Sequence, residues 1–197
     1  MMPRRAKPRP NQPVNKTMKD SNDSDSAFWQ FSLRFYERPG VPDLCLALQD
    51  RHGVDINLLF LLIFLAIHGR RVTADEIRQM DRAIEPWRVA VVHPLRALRR
   101  QLKNGVSPMA TSESDELRNA IKRCELWAEQ LQQMEMERQF ATEMPAEAPN
   151  EVLDLAKVNI NAYDIVISAS RGALPCKLVQ QLLEEFERLR AAGSERA

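Results

Sequence analysis

Apolar residues in this chain fall mostly three and four positions apart, the spacing that lines them along one side of an α-helix. From Ser24-Asp25-Ser26, a group suited to capping, Phe28, Phe31, Leu33 and Phe35 predict a first helix closed at Pro39-Gly40. Pro42 suits the first turn of a second helix and Asp43 its positive end. Leu44, Cys45 and Leu48 form its apolar side, and Gly53 ends it. Asp55 is placed to cap a third helix, Ile56 to Ile67, in which only Asn57 interrupts an apolar run. At about 1.5 Å per residue that run reaches roughly 18 Å, short of a ~30 Å hydrocarbon layer. It therefore predicts a central core helix and not a membrane span.

Gly69 stands at the C-terminal cap of that helix, with Arg70 and Arg71 near its negative end. Thr73-Ala74-Asp75-Glu76 has the form of a capping box and leads into Ile77, Met80 and Ile84. Pro86 and His93-Pro94 are expected to kink or break the chain. The next helix, Leu95 to about Lys103, has Leu95, Leu98 and Leu102 on one side and Arg96, Arg99, Arg100 and Lys103 on the other. A loop to about Thr111 precedes a long helix that reaches about Glu143. Its stripe of Leu117, Ile121, Cys124, Ala128 and Leu131 resembles a short coiled-coil seam, sufficient for a hairpin within the bundle. Pro145 to Pro149 marks another break. Residues 151–170 fit two descriptions. Leu155, Ala162, Val166 and Ala169 suit a helix, while Asp164 to Ser168 is rich enough in β-branched residues for a strand; helices on both sides favour helix. Pro175 opens a last helix with Leu178, Leu182, Phe186 and Leu189 on one face. The expected fold is all-α: a single-domain bundle of six to eight helices over residues 25–192, packed around Ile56–Ile67.

Charge divides the chain. The net charge of the 197 residues is +1, yet residues 1–19 carry +6 and no acid, so the remainder is −5. Four prolines within the first thirteen residues, and few large apolar groups, predict a disordered basic tail over residues 1–24. The prolines argue against an amphipathic targeting helix, and the lack of interleaved aromatics argues against base stacking. No apolar signal core follows the basic start, so a cytoplasmic protein is expected. Three cysteines, Cys45, Cys124 and Cys176, lie far apart without a CxxC pair. They suit neither a disulfide framework nor zinc and are expected as small core residues. Six glycines leave no P-loop or dinucleotide fingerprint, and no nucleophile-elbow motif is present.

The stretch Phe28 to Lys103 resembles a mainly proteobacterial family of uncharacterised helical proteins, a domain of unknown function. The residues that carry the resemblance are Phe28-Trp29, Leu33, Tyr36, Pro39-Gly40-Val41, Cys45-Leu46, Leu48-Gln49-Asp50, Gly53, Asp55-Ile56-Asn57-Leu58-Leu59, Trp87 and Pro94 to Lys103. Glu125-Leu126 and Ala128-Glu129 continue it more weakly. The resemblance implies a helical bacterial cytosolic protein and assigns no catalytic residue.

Two groups of residues are candidates for function. The first is the polar knot Asp50, Arg51, His52, Asp55 and Asn57 between two apolar helices, with Trp87 as a further candidate for lining a pocket. A carboxylate, an imidazole and an amide close together suit ligand binding or acid–base work. Capping accounts for most of these types; Asn57, entering an apolar helix, is the one it explains worst. The second is the basic face Arg96, Arg99, Arg100 and Lys103, extended by Arg88 and His93, where guanidinium groups suit partner carboxylates or phosphates. Trp29, Trp87 and Trp127 are expected mainly in the core. Glu125 and Glu129, one turn apart, form one arm of a di-metal pattern whose Glu-x-x-His counterpart is missing, so no metal ligand, cofactor or catalytic residue is assigned. The function expected first is an interaction or regulatory protein whose basic face meets an acidic protein partner. The alternatives are a small-ligand or metal-dependent enzyme built on the Asp50–Asn57 cluster, and a nucleic-acid-associated protein.

Overall fold

Helix α1, Ala27–Tyr36, begins where the Ser26 hydroxyl accepts the Trp29 N–H at 3.0 Å in the computed structural model, which describes residues 26–109, 111–141 and 151–194. The other helices are α2 Val41–His52, α3 Ile56–Ile67, α4 Ala74–Trp87, α5 His93–Lys103, α6 Thr111–Phe140, α7 Val152–Arg171 and α8 Cys176–Ser194. A π-helical turn, Arg88–Val92, joins α4 to α5. The fold is all-α; among the described residues no strand forms beyond an isolated bridge between Val106 and Met109. None of the described helices is long and apolar enough to cross a membrane. The basic tail expected over residues 1–24 and the break at Pro145–Pro149 lie outside the described residues.

The sequence places most helix ends where the chemistry requires them. Gly53 closes α2 in the left-handed region at φ +63°, with its N–H on the Gln49 carbonyl and the Val54 N–H on that of Leu48. A residue with a Cβ adopts that conformation only at a cost, so the glycine sets this end. Asp55 Oδ1 accepts the Leu58 N–H at 3.0 Å and starts α3. Thr73 and Glu76 form the reciprocal capping box that starts α4.

The apolar run of α3 becomes the centre of the core, with Leu58 through Ala66 all buried. Phe28, Phe31 and Phe35 of α1 meet Phe60 and Phe64 of α3 and Phe186 of α8, with centroids 5.0 Å apart for Phe35 and Phe60 and 6.0 Å for Phe35 and Phe186. Fully burying one such side chain stabilises the fold by about 1.5–3 kcal/mol. Helix α7 packs along α3 and is helical throughout, burying Val152, Ala156, Ile160, Tyr163 and Ile167.

Four expectations are corrected. Pro86 and Pro94 do not break the chain: α4, the π turn and α5 run on without a gap from Ala74 to Lys103. The π turn lies between the two prolines, and the His93 N–H reaches back to the Arg88 carbonyl there. Of the cysteines only Cys45 is buried; Cys124 and Cys176 are exposed. Trp29 is in the core, whereas Trp87 and Trp127 are 39% and 50% exposed. The buried stripe of α6 runs Ser114, Ile121, Glu125, Ala128, Gln132, Gln133 and Met136, leaving Leu117, Cys124 and Leu131 facing outward. The expected seam shares only Ile121 and Ala128 with it. Arginines on α5 hold Glu125 inward, and that turns the helix.

Candidate ligand-binding site

Helices α5 and α6 pack side by side, and Arg96 and Arg99 of the basic face take part in that contact. Arg96 Nε donates to Glu125 Oε1 at 3.0 Å, and its Nη2 donates to Glu129 Oε1. Arg99 grips Glu125 as well, through Nε to Oε2 and through Nη2 to Oε1 at 3.2 Å. On the leucine side of α5, Leu102 is buried and Leu98 is 43% exposed. Glu125 is buried and serves two guanidinium groups, so its carboxylate fixes the rotation of both helices.

One turn before α5, Arg88 Nη1 donates to Asp55 Oδ2 at 2.5 Å and Nη2 donates to Asp81 Oδ1 at 2.7 Å. The Asp55 backbone N–H donates to the Tyr163 hydroxyl at 3.1 Å. Asp55 thus caps α3, holds the π turn and receives α7 at once. Asn57, in the first turn of α3, accepts from Gln133 Nε2 at 2.7 Å.

These groups surround a cavity of about 790 Å³ bounded by α1, the α2–α3 connection, the π turn, α5, α6 and α7. Trp29, Phe60 and Leu126 give it apolar walls. Ser32, Gln132 and Gln133 line it and are 4%, 2% and 3% exposed. Ser32 Oγ, Gln132 Nε2, Gln132 Oε1 and Gln133 Oε1 have no hydrogen-bond partner among the described residues. Leaving a buried donor or acceptor unpaired costs about 1–3 kcal/mol, so four such atoms around one space demand an explanation. A second concavity, of about 530 Å³ between α7 and α8, has no such convergence of buried polar groups.

The electrostatics of the two glutamates diverge. Burial would raise the Glu125 carboxyl, but hydrogen bonds from Arg99 and Arg96 outweigh it and hold it below the usual carboxylate range. Burial raises Glu129; Arg96 offsets this only in part, and neighbouring Glu125 adds to it, leaving the carboxyl above that range. At the cavity wall, burial pushes the Cys45 thiol up to about 12. Burial and then Cys45 also raise the Tyr36 phenol.

Six residues of the two candidate groups line the cavity, Asp55, Asn57, Arg88, His93, Arg96 and Arg99, and so do Trp29, Glu125 and Glu129. The six come from both candidate groups, which the fold brings to one place. Asp50, His52, Trp87, Arg100 and Lys103 are not among its lining residues. Asp50 and Arg100 form an exposed pair at 2.5 Å, and Trp87 Nε1 donates to the Ala128 carbonyl at 3.0 Å. The basic face is therefore not an open one. The acidic groups that meet Arg88, Arg96, Arg99 and Arg100 are the protein's own. Sequence reasoning missed Ser32, Gln132, Gln133 and Tyr163. The signal available was the pair Gln132-Gln133, two amides where a buried stripe continues. Among the described residues no group of three His, Cys, Asp or Glu side chains is placed to hold a metal ion.

Residues 27–136 match the model of a family described as a protein of unknown function, DUF2390. The chain belongs to this family. The DUF2390 match carries the resemblance seen over residues 28–103 onward through most of α6, and it takes in every cavity residue named above except Tyr163. No curated protein and no solved structure matches the chain.

Proposed function

We propose that this DUF2390 protein binds a small organic molecule in the cavity between α5, α6 and the Asp55 region, and that it does so in the bacterial cytoplasm. The observation that carries the reading is that Ser32, Gln132 and Gln133, which line a space of about 790 Å³, hold four buried polar atoms with no partner among the described residues. Apolar walls with a few convergent polar groups are the usual form of a small-molecule site. The ion pairs around the space are complete in themselves and act as its frame. A reducing compartment agrees with free Cys45, Cys124 and Cys176, two of them exposed. An acidic protein partner for the basic face has less to recommend it, because four of that face's arginines already hold carboxylates.

One observation favours a second reading, an enzyme acting on the bound molecule. Glu125 and Glu129 lie one turn apart with pKa values displaced in opposite directions, a pattern that separates a base from an acid.

The test is thermal denaturation of the full chain against a metabolite library, with Gln132→Leu as control. At a hundredfold excess over Kd a true ligand adds about 2.7 kcal/mol, roughly 5–10 °C in Tm. That rise should be saturable and lost in Gln132→Leu. A library with no saturable hit, or hits indifferent to Gln132→Leu, removes the proposal.

A further inference from the structure

Helix α6 carries apolar residues on two sides. One side, which includes Ile121, Ala128 and Met136, is buried in the bundle. The other is open among the described residues: Leu117, Cys124, Trp127 and Leu131 are exposed, and Ala120 and Met134 are half-buried. These six follow one another at alternating steps of three and four residues, the a and d repeat of a coiled coil. Leu117, Cys124 and Leu131 hold the a positions; Ala120, Trp127 and Met134 hold d. Trp87 of α4 reaches the same helix, with its Nε1 on the Ala128 carbonyl. None of the six lines the cavity, so this face is independent of the ligand reading above. An exposed apolar face of this extent marks an interaction surface.

The pattern on the face selects its occupant. In an antiparallel helix pair the heptad runs backwards on the partner, so each a residue meets a d residue. Two copies of α6 laid antiparallel about a point between Cys124 and Trp127 set Leu117 against the partner's Met134, Ala120 against the partner's Leu131 and Cys124 against the partner's Trp127. The two-fold axis repeats each layer. In two of the three layers a small residue receives a large one, which fills an interface without overlap. The next layer at either end sets Arg138 against the partner's Glu113, opposite charges at exposed positions. Arg138 also holds Glu135 on its own helix, an exposed pair that constrains it little. A parallel pair instead sets Arg138 against Arg138, Glu113 against Glu113 and one Trp127 ring against the other. Sliding the antiparallel pair by one heptad sets Glu113 against Leu131, or Arg138 against Ala120.

From these relationships we infer that the open face of α6 is a homodimer interface. Two copies of this chain pair antiparallel along the seam from Leu117 to Met134, and Arg138 and Glu113 close it at both ends. The seam spans about 27 Å of helix and buries on the order of 1,000 Å² between the copies, the low end for a specific pair. The dimer therefore has a dissociation constant in roughly the micromolar range.

Sedimentation velocity of the full chain, from about 1 μM to about 1 mM, is the test. Wild type is expected to pass from monomer to dimer across that range. Trp127→Glu and Leu117→Glu should each stay monomeric, with the thermal unfolding transition retained as evidence of folding. Arg138→Glu should raise the dissociation constant by at least about tenfold, because attraction at both ends becomes repulsion. Glu113→Arg should do the same, and the two changes together should restore the dimer. A wild type that is monomeric at every concentration overturns the inference. So does a dimer indifferent to both Trp127→Glu and Leu117→Glu, which pairs through another surface. A dimer broken by those variants but unchanged by Arg138→Glu overturns the antiparallel register. A wild-type monomer that dimerises once residues 142–150 are replaced by a glycine–serine linker gives the face to the chain's own segment and overturns the second copy as its occupant.

Discussion

Arg88 Nη1 lies 2.5 Å from Asp55 Oδ2, and through that contact the π turn is tied to the first turn of α3. The two side chains are 14% and 11% exposed, so the pair is largely withdrawn from water. A buried pair of this kind adds little over an apolar substitute, but removing one member leaves a desolvated charge. Arg88→Met strips the partner from Asp55 and from Asp81 together and should destabilise the protein by about 3–5 kcal/mol. Asp55→Asn in that background should recover part of the loss, since asparagine caps a helix as well as aspartate does. Urea denaturation of both variants measures the effect. A cost for Arg88→Met below about 1 kcal/mol, the range of an exposed pair, is the result that contradicts this account.

That contact also shows what the sequence could and could not reveal. Features fixed within a few residues were legible: Ser26, Asp55 and the Thr73–Glu76 box cap their helices, and the apolar run at Ile56–Ile67 is the core. The candidate residues Asp55, Asn57, Arg88, Arg96 and Arg99 line one cavity. Their partners were hidden because each lies far along the chain. Arg96 meets Glu125 across 29 residues, and Arg88 meets Asp55 across 33. From α5 alone, a leucine stripe inward and an arginine stripe outward is the natural expectation. It holds for Leu102, which is buried, and fails for Leu98, which is exposed, because carboxylates on α6 also draw Arg96 and Arg99 into the packing. The same error shifted the expected seam of α6 away from Glu125 and Gln132 and hid the amides that now define the cavity.

Asn159 was not singled out in the sequence, yet it is fully buried and joins three parts of the chain. Its Oδ1 accepts the Val72 N–H at 2.8 Å, and its Nδ2 donates to the carbonyls of Leu62 and Arg70 at 3.1 and 3.0 Å. The segment after α3 thus depends on α7 for its backbone hydrogen bonds. Asn159→Leu orphans the Val72 donor and the Arg70 acceptor, each at about 1–3 kcal/mol, so a loss of about 3 kcal/mol is expected. Amide hydrogen exchange should locate it, with Val72 losing protection more than the caps of α1 or α4. Uniform loss across the fold would contradict this assignment.

Gln132→Leu should move stability and binding in opposite directions. The side chain is 2% exposed and neither its Nε2 nor its Oε1 has a partner among the described residues. Replacing an unsatisfied polar group by an apolar one of similar size removes a desolvation cost. The variant should gain about 1 kcal/mol in denaturant stability while losing ligand binding, the trade expected of a residue kept for function. A destabilised Gln132→Leu would show that the amide has a structural partner, such as an ordered water, and would weaken the case for a ligand there.

The opposed glutamates give a pH signature whose sign can be worked out. Burial, with Glu125 beside it, raises the Glu129 carboxyl above its ordinary value of 4.5 in the folded protein. The folded state then binds more protons than the unfolded state between 4.5 and that raised value, so this residue's contribution to stability falls as pH rises through the window. Glu125 acts in the other direction. Its carboxyl is held below 4.5 by Arg99 and Arg96 against the opposing effect of burial. It contributes stability that is fully present above 4.5 and is lost as pH falls through the depressed folded value. Glu129→Gln removes the first effect and leaves the second. Urea midpoints measured from neutral to acid should therefore show wild type gaining on Glu129→Gln as pH falls toward 4.5, with both declining below it. If the difference between the two proteins is flat across that range, Glu129 titrates alike in the folded and unfolded chains, and burial does not raise it.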